Sequence, residues 1–213
     1  MKQTPLVTRS IVEGIGTFFL VLVVGLTVIV PGAGAMAPLA IGTILMVMVY
    51  AGGHLSGGHY NPAVTLAVWL RGTCETNDVL PYMGAQVAGA TIAAFLVGVC
   101  KRGSAITAMQ PDVVPALLIE LALTFALAYV VLSVATAKKT AGNAYFGLAI
   151  GSTVMAGASA AGNISGGVFN PAVAVGITLM GLSSLSHLWI YLAGNVAGGA
   201  LAALAFRATN PDD

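Results

Sequence analysis

Two asparagines recur in nearly the same setting 109 positions apart, in Ser56-Gly57-Gly58-His59-Tyr60-Asn61-Pro62-Ala63-Val64-Thr65 and Ser165-Gly166-Gly167-Val168-Phe169-Asn170-Pro171-Ala172-Val173-Ala174. A carboxamide carries two N–H donors and one carbonyl acceptor but no charge. Asparagine is also a favoured N-cap, and proline suits the first helical position. Asn61-Pro62-Ala63 and Asn170-Pro171-Ala172 therefore each start a helix. Capping explains one such asparagine; it does not require two copies.

A pair of acids recurs as well, Glu13-x-x-x-Thr17-Phe18 and Glu120-x-x-x-Thr124-Phe125. Both lie in apolar stretches, where a carboxylate is costly and is either a proton carrier, an ion ligand or a buried acceptor. His54 and His187 have no ligand-type partners at metal spacing and are expected to be structural, and no nucleophile, base and orienting group can be assembled from the sparse polar residues, so neither a metal site nor an enzyme is expected.

The elements that must hold these groups are set by composition. Hydrophobic residues make up 58% of the chain and charged residues 7%, against about 25% charged in a soluble domain, and the mean hydropathy is +0.95. The solvent is a bilayer. Apolar spans can be drawn at 11–30, 36–52, 79–100, 113–135, 144–160 and 187–206, each near the ~20 residues that cross ~30 Å of hydrocarbon as helix. The first is too long, and too little preceded by basic charge, for a cleaved signal peptide.

Six spans put both termini on one face. Lys2, Arg9, Arg71, Lys138, Lys139 and Arg207 fall on that face and only Lys101 and Arg102 on the other, which predicts cytoplasmic termini. A formal charge of +1 offers no surface to nucleic acid. Cys74 and Cys100 fall on opposite faces and are expected to be free thiols. Trp69, Trp189, Tyr82 and Tyr191 lie near span ends and are expected to anchor at the interface. Met46 and Met48 read as packing.

Gln86-Val87-Ala88-Gly89 returns as Asn195-Val196-Ala197-Gly198, in the same order as the other two motifs, so residues 1–213 read as one domain built from repeats at about 9–100 and 113–206. Three spans per repeat is an odd number, so the second repeat enters the membrane from the opposite face. The small residues of Ala85-x-x-x-Gly89 and Gly194-x-x-x-Gly198 are expected to let helices approach closely. Residues Pro62–Arg71 span about 15 Å as helix, half the hydrocarbon, so two half-helices should meet tip to tip at the midplane. An extended Ser-Gly-Gly strand before each is tolerable only where its carbonyls line a water-filled path.

With two Asn-Pro-Ala motifs in inverted repeats, each led by a Glu-x-x-x-Thr-Phe helix, the chain resembles the aquaporin (major intrinsic protein) family over its whole length. The resemblance implies an all-α membrane protein of six transmembrane helices plus two re-entrant half-helices, a homotetramer with one pore per subunit, passive conduction and no cofactor. It implies that Asn61 and Asn170 donate hydrogen bonds to the permeating molecule, that Glu13 and Glu120 are buried acceptors for the loops before the half-helices, and that His59 lines the pore on the cytoplasmic side. The positive ends of both half-helix dipoles then converge on the pore centre and repel cations.

One departure matters. Most members carry an arginine directly after the second Asn-Pro-Ala; here the residue is Val173. The other walls of the outer filter, counted from the motifs, are Ile41, Ala158 and Gly167, with Gly157 or Ser159 as alternatives to Ala158 should the count slip. None is aromatic, charged or histidine. Such a ring is wider and less polar than a strict water filter. Lys101 and Arg102 are the cations that could fold over the mouth instead, although a solvated loop charge is the commoner outcome. The expected function is a passive channel for water and small uncharged solutes of the glycerol, urea and ammonia class, in a plasma membrane of bacterial inner-membrane type. The rival is an inverted-repeat secondary transporter coupled to an ion.

Overall fold

The structure, a computed structural model, describes residues 4–213; Lys2, counted above for orientation, lies outside them. Among the described residues the chain forms eight α-helices: α1 (Leu6–Val28), α2 (Ala37–Ser56), α3 (Pro62–Arg71), α4 (Thr76–Cys100), α5 (Val113–Val131), α6 (Phe146–Ala161), α7 (Pro171–Leu179) and α8 (Leu188–Thr209). Each half runs as two long helices, a re-entrant loop with its half-helix, and a third helix. This is the inverted-repeat architecture of six spans and two half-helices.

Among the described residues five helices are long and apolar enough to cross a membrane: α1, α2, α4, α5 with its π-helical extension Leu132–Thr136, and α8. The sixth, α6, has 16 residues, about 24 Å at 1.5 Å per residue. Beyond Ala161, Gly162 keeps helical dihedrals and its N–H still donates to Ala158 O at 3.0 Å. The backbone still curls on, with Ile164 and Ser165 N–H both donating to Ala161 O at 2.9 and 3.0 Å.

Glycines decide how closely the helices pack. Helix α1 packs on α4, and α5 on α8, in matched fashion. A Cβ on Gly89 would lie 2.2 Å from Gly14 O, and one on Gly198 2.4 Å from Leu121 O, so both pairs meet backbone to backbone. Between the halves, α2 crosses α6 at another such pair: a Cβ on Gly42 would lie 2.5 Å from Gly151 O, and one on Gly151 2.4 Å from Gly42 O. With lipid as apolar as leucine, close packing of this kind is the main force holding such helices together. The half-helices are clasped by the opposite repeat, α3 against α8 and α7 against α4.

Two tyrosines overturn the expectation of interfacial anchoring. Tyr82 and Tyr191 are 1% and 0% exposed, and each hydroxyl donates to the carbonyl of the serine that opens a re-entrant loop, Ser56 O and Ser165 O, both at 2.9 Å. A buried hydroxyl needs a partner, and the loop supplies it. Trp69 and Trp189 are exposed. At the termini's face, the Arg9 guanidinium of α1 makes a two-pronged contact with the Asp78 carboxylate of α4, a buried charge balanced in place.

Candidate functional site

The two re-entrant loops are held by the two acids. Glu13 is fully buried; its Oε1 accepts from Ser56 Oγ (2.7 Å) and His59 N (2.9 Å), its Oε2 from Tyr60 N (2.6 Å) and Gln86 Nε2 (2.8 Å). Glu120 repeats the arrangement bond for bond, accepting from Ser165 Oγ (2.6 Å), Val168 N (2.9 Å), Phe169 N (2.8 Å) and Asn195 Nδ2 (2.8 Å). Four donors per carboxylate compensate its burial and leave it no free lone pair for an ion.

Such anchoring lets the loops adopt a strained backbone. Tyr60 and Phe169 sit at φ 48° and 49°, a left-handed conformation costing a non-glycine residue about 1–3 kcal/mol. Each is fixed on both sides, its N–H by the carboxylate and its C=O by the opposite asparagine: Asn170 Nδ2 donates to Tyr60 O at 2.9 Å and Asn61 Nδ2 to Phe169 O at 2.8 Å. The two half-helices thus meet tip to tip through reciprocal bonds. The Tyr60 ring occupies the space a side chain on Gly16 would need, 2.2 Å from that Cβ position, and its hydroxyl that of Gly52 at 2.1 Å.

Both asparagines cap as well as clasp. Asn61 Oδ1 accepts from Ala63 N (2.8 Å) and Val64 N (3.4 Å), Asn170 Oδ1 from Ala172 N (2.9 Å) and Val173 N (3.4 Å). Pro62 and Pro171 take the first helical position and lack the N–H that a cap would have to satisfy. One Nδ2 hydrogen of each asparagine goes to the opposite loop. The other has no partner among the described residues.

A cavity of about 690 Å³ connects these groups. It runs from Val30 and Pro31 between α1 and α2, past Asn170 and Asn61, to His59, Leu127 and Ile150. All four residues counted as the outer filter, Ile41, Ala158, Gly167 and Val173, line it together. Ala158 and Gly167 are neighbours, since a Cβ on Gly167 would lie 3.1 Å from Ala158 Cα. The alternatives to Ala158 are occupied elsewhere: Gly157 accommodates the Phe169 ring, 2.7 Å from its Cβ position, and the exposed Ser159 donates to Met155 O. No aspartate, glutamate, lysine or arginine is among the described residues that line the cavity.

On the termini's side, His59 Nδ1 lies 3.1 Å from Thr65 Oγ1. That hydroxyl donates to Asn61 O (3.1 Å) and accepts from Gln86 Nε2 (3.0 Å). His59, Thr65 and Gln86 thus form one buried polar chain beside the first half-helix. The outer half has no such group, because Val168 and Ala174 stand at the matching positions.

Lys101 differs from both sequence expectations, solvation and cover of the mouth. Its ammonium donates to Ile29 O at 2.9 Å and to Pro31 O, pinning the α1–α2 connection that forms one side of the opening. Arg102 is exposed. Gln86 and Asn195, Ser56 and Ser165, and the two buried tyrosines were marked in the sequence by repetition or position, but not by role. Their signal is recurrence of a polar residue at one register of both repeats.

Fold and site together define a membrane protein with a cavity lined by residues of both re-entrant loops. The sequence matches the major intrinsic protein family over residues 1–206, and the chain belongs to that family. It is 36% identical to glycerol uptake facilitator protein-like 6 of Lactiplantibacillus plantarum over 96% of this chain and 99% of that one, and 38% identical to aquaporin NIP1-3 of Oryza sativa subsp. japonica over 93% and 72%. Its fold is similar to the X-ray structure of the aquaglyceroporin from Plasmodium falciparum, with TM-score 0.79 and 18% identity over 95% and 96% of the two chains.

Proposed function

We propose that the chain is a passive channel for water and small uncharged solutes, glycerol among them, that performs no catalysis. One observation carries this reading: a cavity passes both asparagine carboxamides and meets, toward the face opposite the termini, a ring of Ile41, Ala158, Gly167 and Val173, with no ionisable lining group among the described residues but His59 and two tyrosine hydroxyls. A coupled transporter needs a titratable or ion-binding group beside its substrate. Glu13 and Glu120 are fully engaged in holding backbone. An uncharged apolar ring passes a polyol carbon skeleton, and the half-helix dipoles oppose cations. The names of the relatives, a glycerol uptake facilitator and an aquaporin, agree with this solute class.

In this reading residues 1–213 form one channel domain with the outer constriction at Ile41, Ala158, Gly167 and Val173, and His59 lining the inner half. The protein is a homotetramer with one pore per subunit, and lies in a plasma membrane of bacterial inner-membrane type with both termini cytoplasmic. Family membership supports the assembly, and the bias of basic residues supports the orientation.

The test is Val173→Arg, with the glycerol-to-water permeability ratio read in proteoliposomes. Arginine narrows the ring and adds a positive wall, so the ratio should fall several-fold, because water can move its hydrogen bonds onto the guanidinium while glycerol loses width. A ratio that holds or rises in a well-folded variant contradicts the assignment.

A further inference from the structure

The segment joining the two repeats, residues 101–112, has no counterpart in either of them, yet it reaches the passage. Met109 N–H donates to Leu182 O at 2.9 Å, forming an isolated bridge with the α7–α8 connection. Three residues earlier, Ile106 rests on the same connection, its Cγ2 3.7 Å from a Cβ position on Gly181. So anchored, Met109 is partly buried and lines the cavity beside Gly166, Gly167 and Leu182. A Cβ on Gly166 would lie 3.6 Å from Met109 Sδ, which puts the thioether in contact distance of the turn that carries Gly167.

We propose that Met109 is a fifth wall of the outer constriction, a specificity-determining side chain that sets the width of the mouth for neutral solutes. The inference rests on the channel reading. Two of the four other walls, Ala158 and Gly167, have little or no side chain, and the Met109 thioether stands beside their turn on the same cavity. A long unbranched thioether fills irregular space, bends between rotamers and exposes a polarisable, weakly accepting sulfur. It narrows the mouth without adding charge. Solute therefore meets a deformable apolar wall, which yields to a three-carbon polyol and resists larger ones.

The experiment compares the parent with Met109→Ala and Met109→Leu in proteoliposomes, measuring water, glycerol and a four-carbon polyol. Alanine should raise the glycerol-to-water ratio several-fold and admit the larger polyol, while leucine, of similar volume, should keep the parent's selectivity. A second measurement uses Met109→Cys in a Cys74→Ser/Cys100→Ser background. A small cationic methanethiosulfonate should attach to the introduced thiol, as read by mass, and suppress glycerol flux until reductant is added. An alanine variant with the parent's ratios, an introduced thiol that stays unmodified, or one that is modified without loss of flux overturns the proposal. A parent that passes neither water nor glycerol would instead overturn the channel reading.

Discussion

Tyr60 and Phe169 show how the site is built at the scale of single residues. Each holds an unfavourable backbone conformation because three partners over-determine it: a carboxylate at the N–H, an asparagine from the other repeat at the C=O, and a glycine-lined recess for the ring. This assigns the two acids a structural task that can be separated from proton carriage. In Glu13→Gln or Glu120→Gln one acceptor oxygen becomes an NH2 group facing other donors, and each unsatisfied buried donor costs about 1–3 kcal/mol. Both variants should lose folded yield and melt at lower temperature in detergent, to a similar extent. Normal melting with loss of a proton-coupled uptake would contradict the account and favour the transporter. The pairing of Glu13 with a loop 46 residues away could be read from sequence only through the resemblance, since a lone intramembrane acid has several roles open to it. Tyr82 and Tyr191 were misread because nearness to a span end says nothing of the side of the helix a residue faces.

At the scale of elements, the half-helices were the most legible part of the fold. Asn-Pro fixes a helix start by capping and by the missing proline N–H, and α3 runs over Pro62–Arg71, the ten residues read from the sequence. The short α6 was legible too, since the apolar span drawn over 144–160 coincides with the helix Phe146–Ala161. The small-residue motifs are legible as close approach, and α4 holds its own control. A Cβ on Gly89 would meet Gly14 O at 2.2 Å, whereas those on Gly84 and Gly98 of the same helix meet nothing within 4 Å. Gly89→Ala should therefore destabilise by about 1–3 kcal/mol through overpacking. Gly84→Ala and Gly98→Ala should be neutral or gain up to about 1 kcal/mol from helix propensity. Thermal melting of the three in one detergent checks this; equal behaviour would mean that α1 and α4 do not meet at Gly89. The joining segment with Met109 stayed illegible because it occurs once, and repetition was the signal that revealed the rest.

For the whole molecule, the inverted repeat puts Cys74 on the face of the termini and Cys100 on the other, both free. With cytoplasmic termini, a membrane-impermeant maleimide applied to intact cells should label the exposed Cys100 and spare Cys74. Burial, joined by Asp78, pushes the Cys74 thiol up to about 11. Even in opened membranes its labelling should be slow near neutral pH and accelerate as pH rises toward that value, since the thiolate is the reactive form. Labelling of Cys74 but not Cys100 in intact cells would reverse the orientation. The central claim is passive conduction past the two asparagines, and the concentration dependence of glycerol influx into proteoliposomes tests it most directly by stopped-flow light scattering. The account predicts influx that rises linearly without saturating, is indifferent to sodium and proton gradients, and is lost in Asn170→Leu at equal protein content. Saturable influx that requires an ion gradient, or full influx in the Asn170→Leu protein, would contradict it.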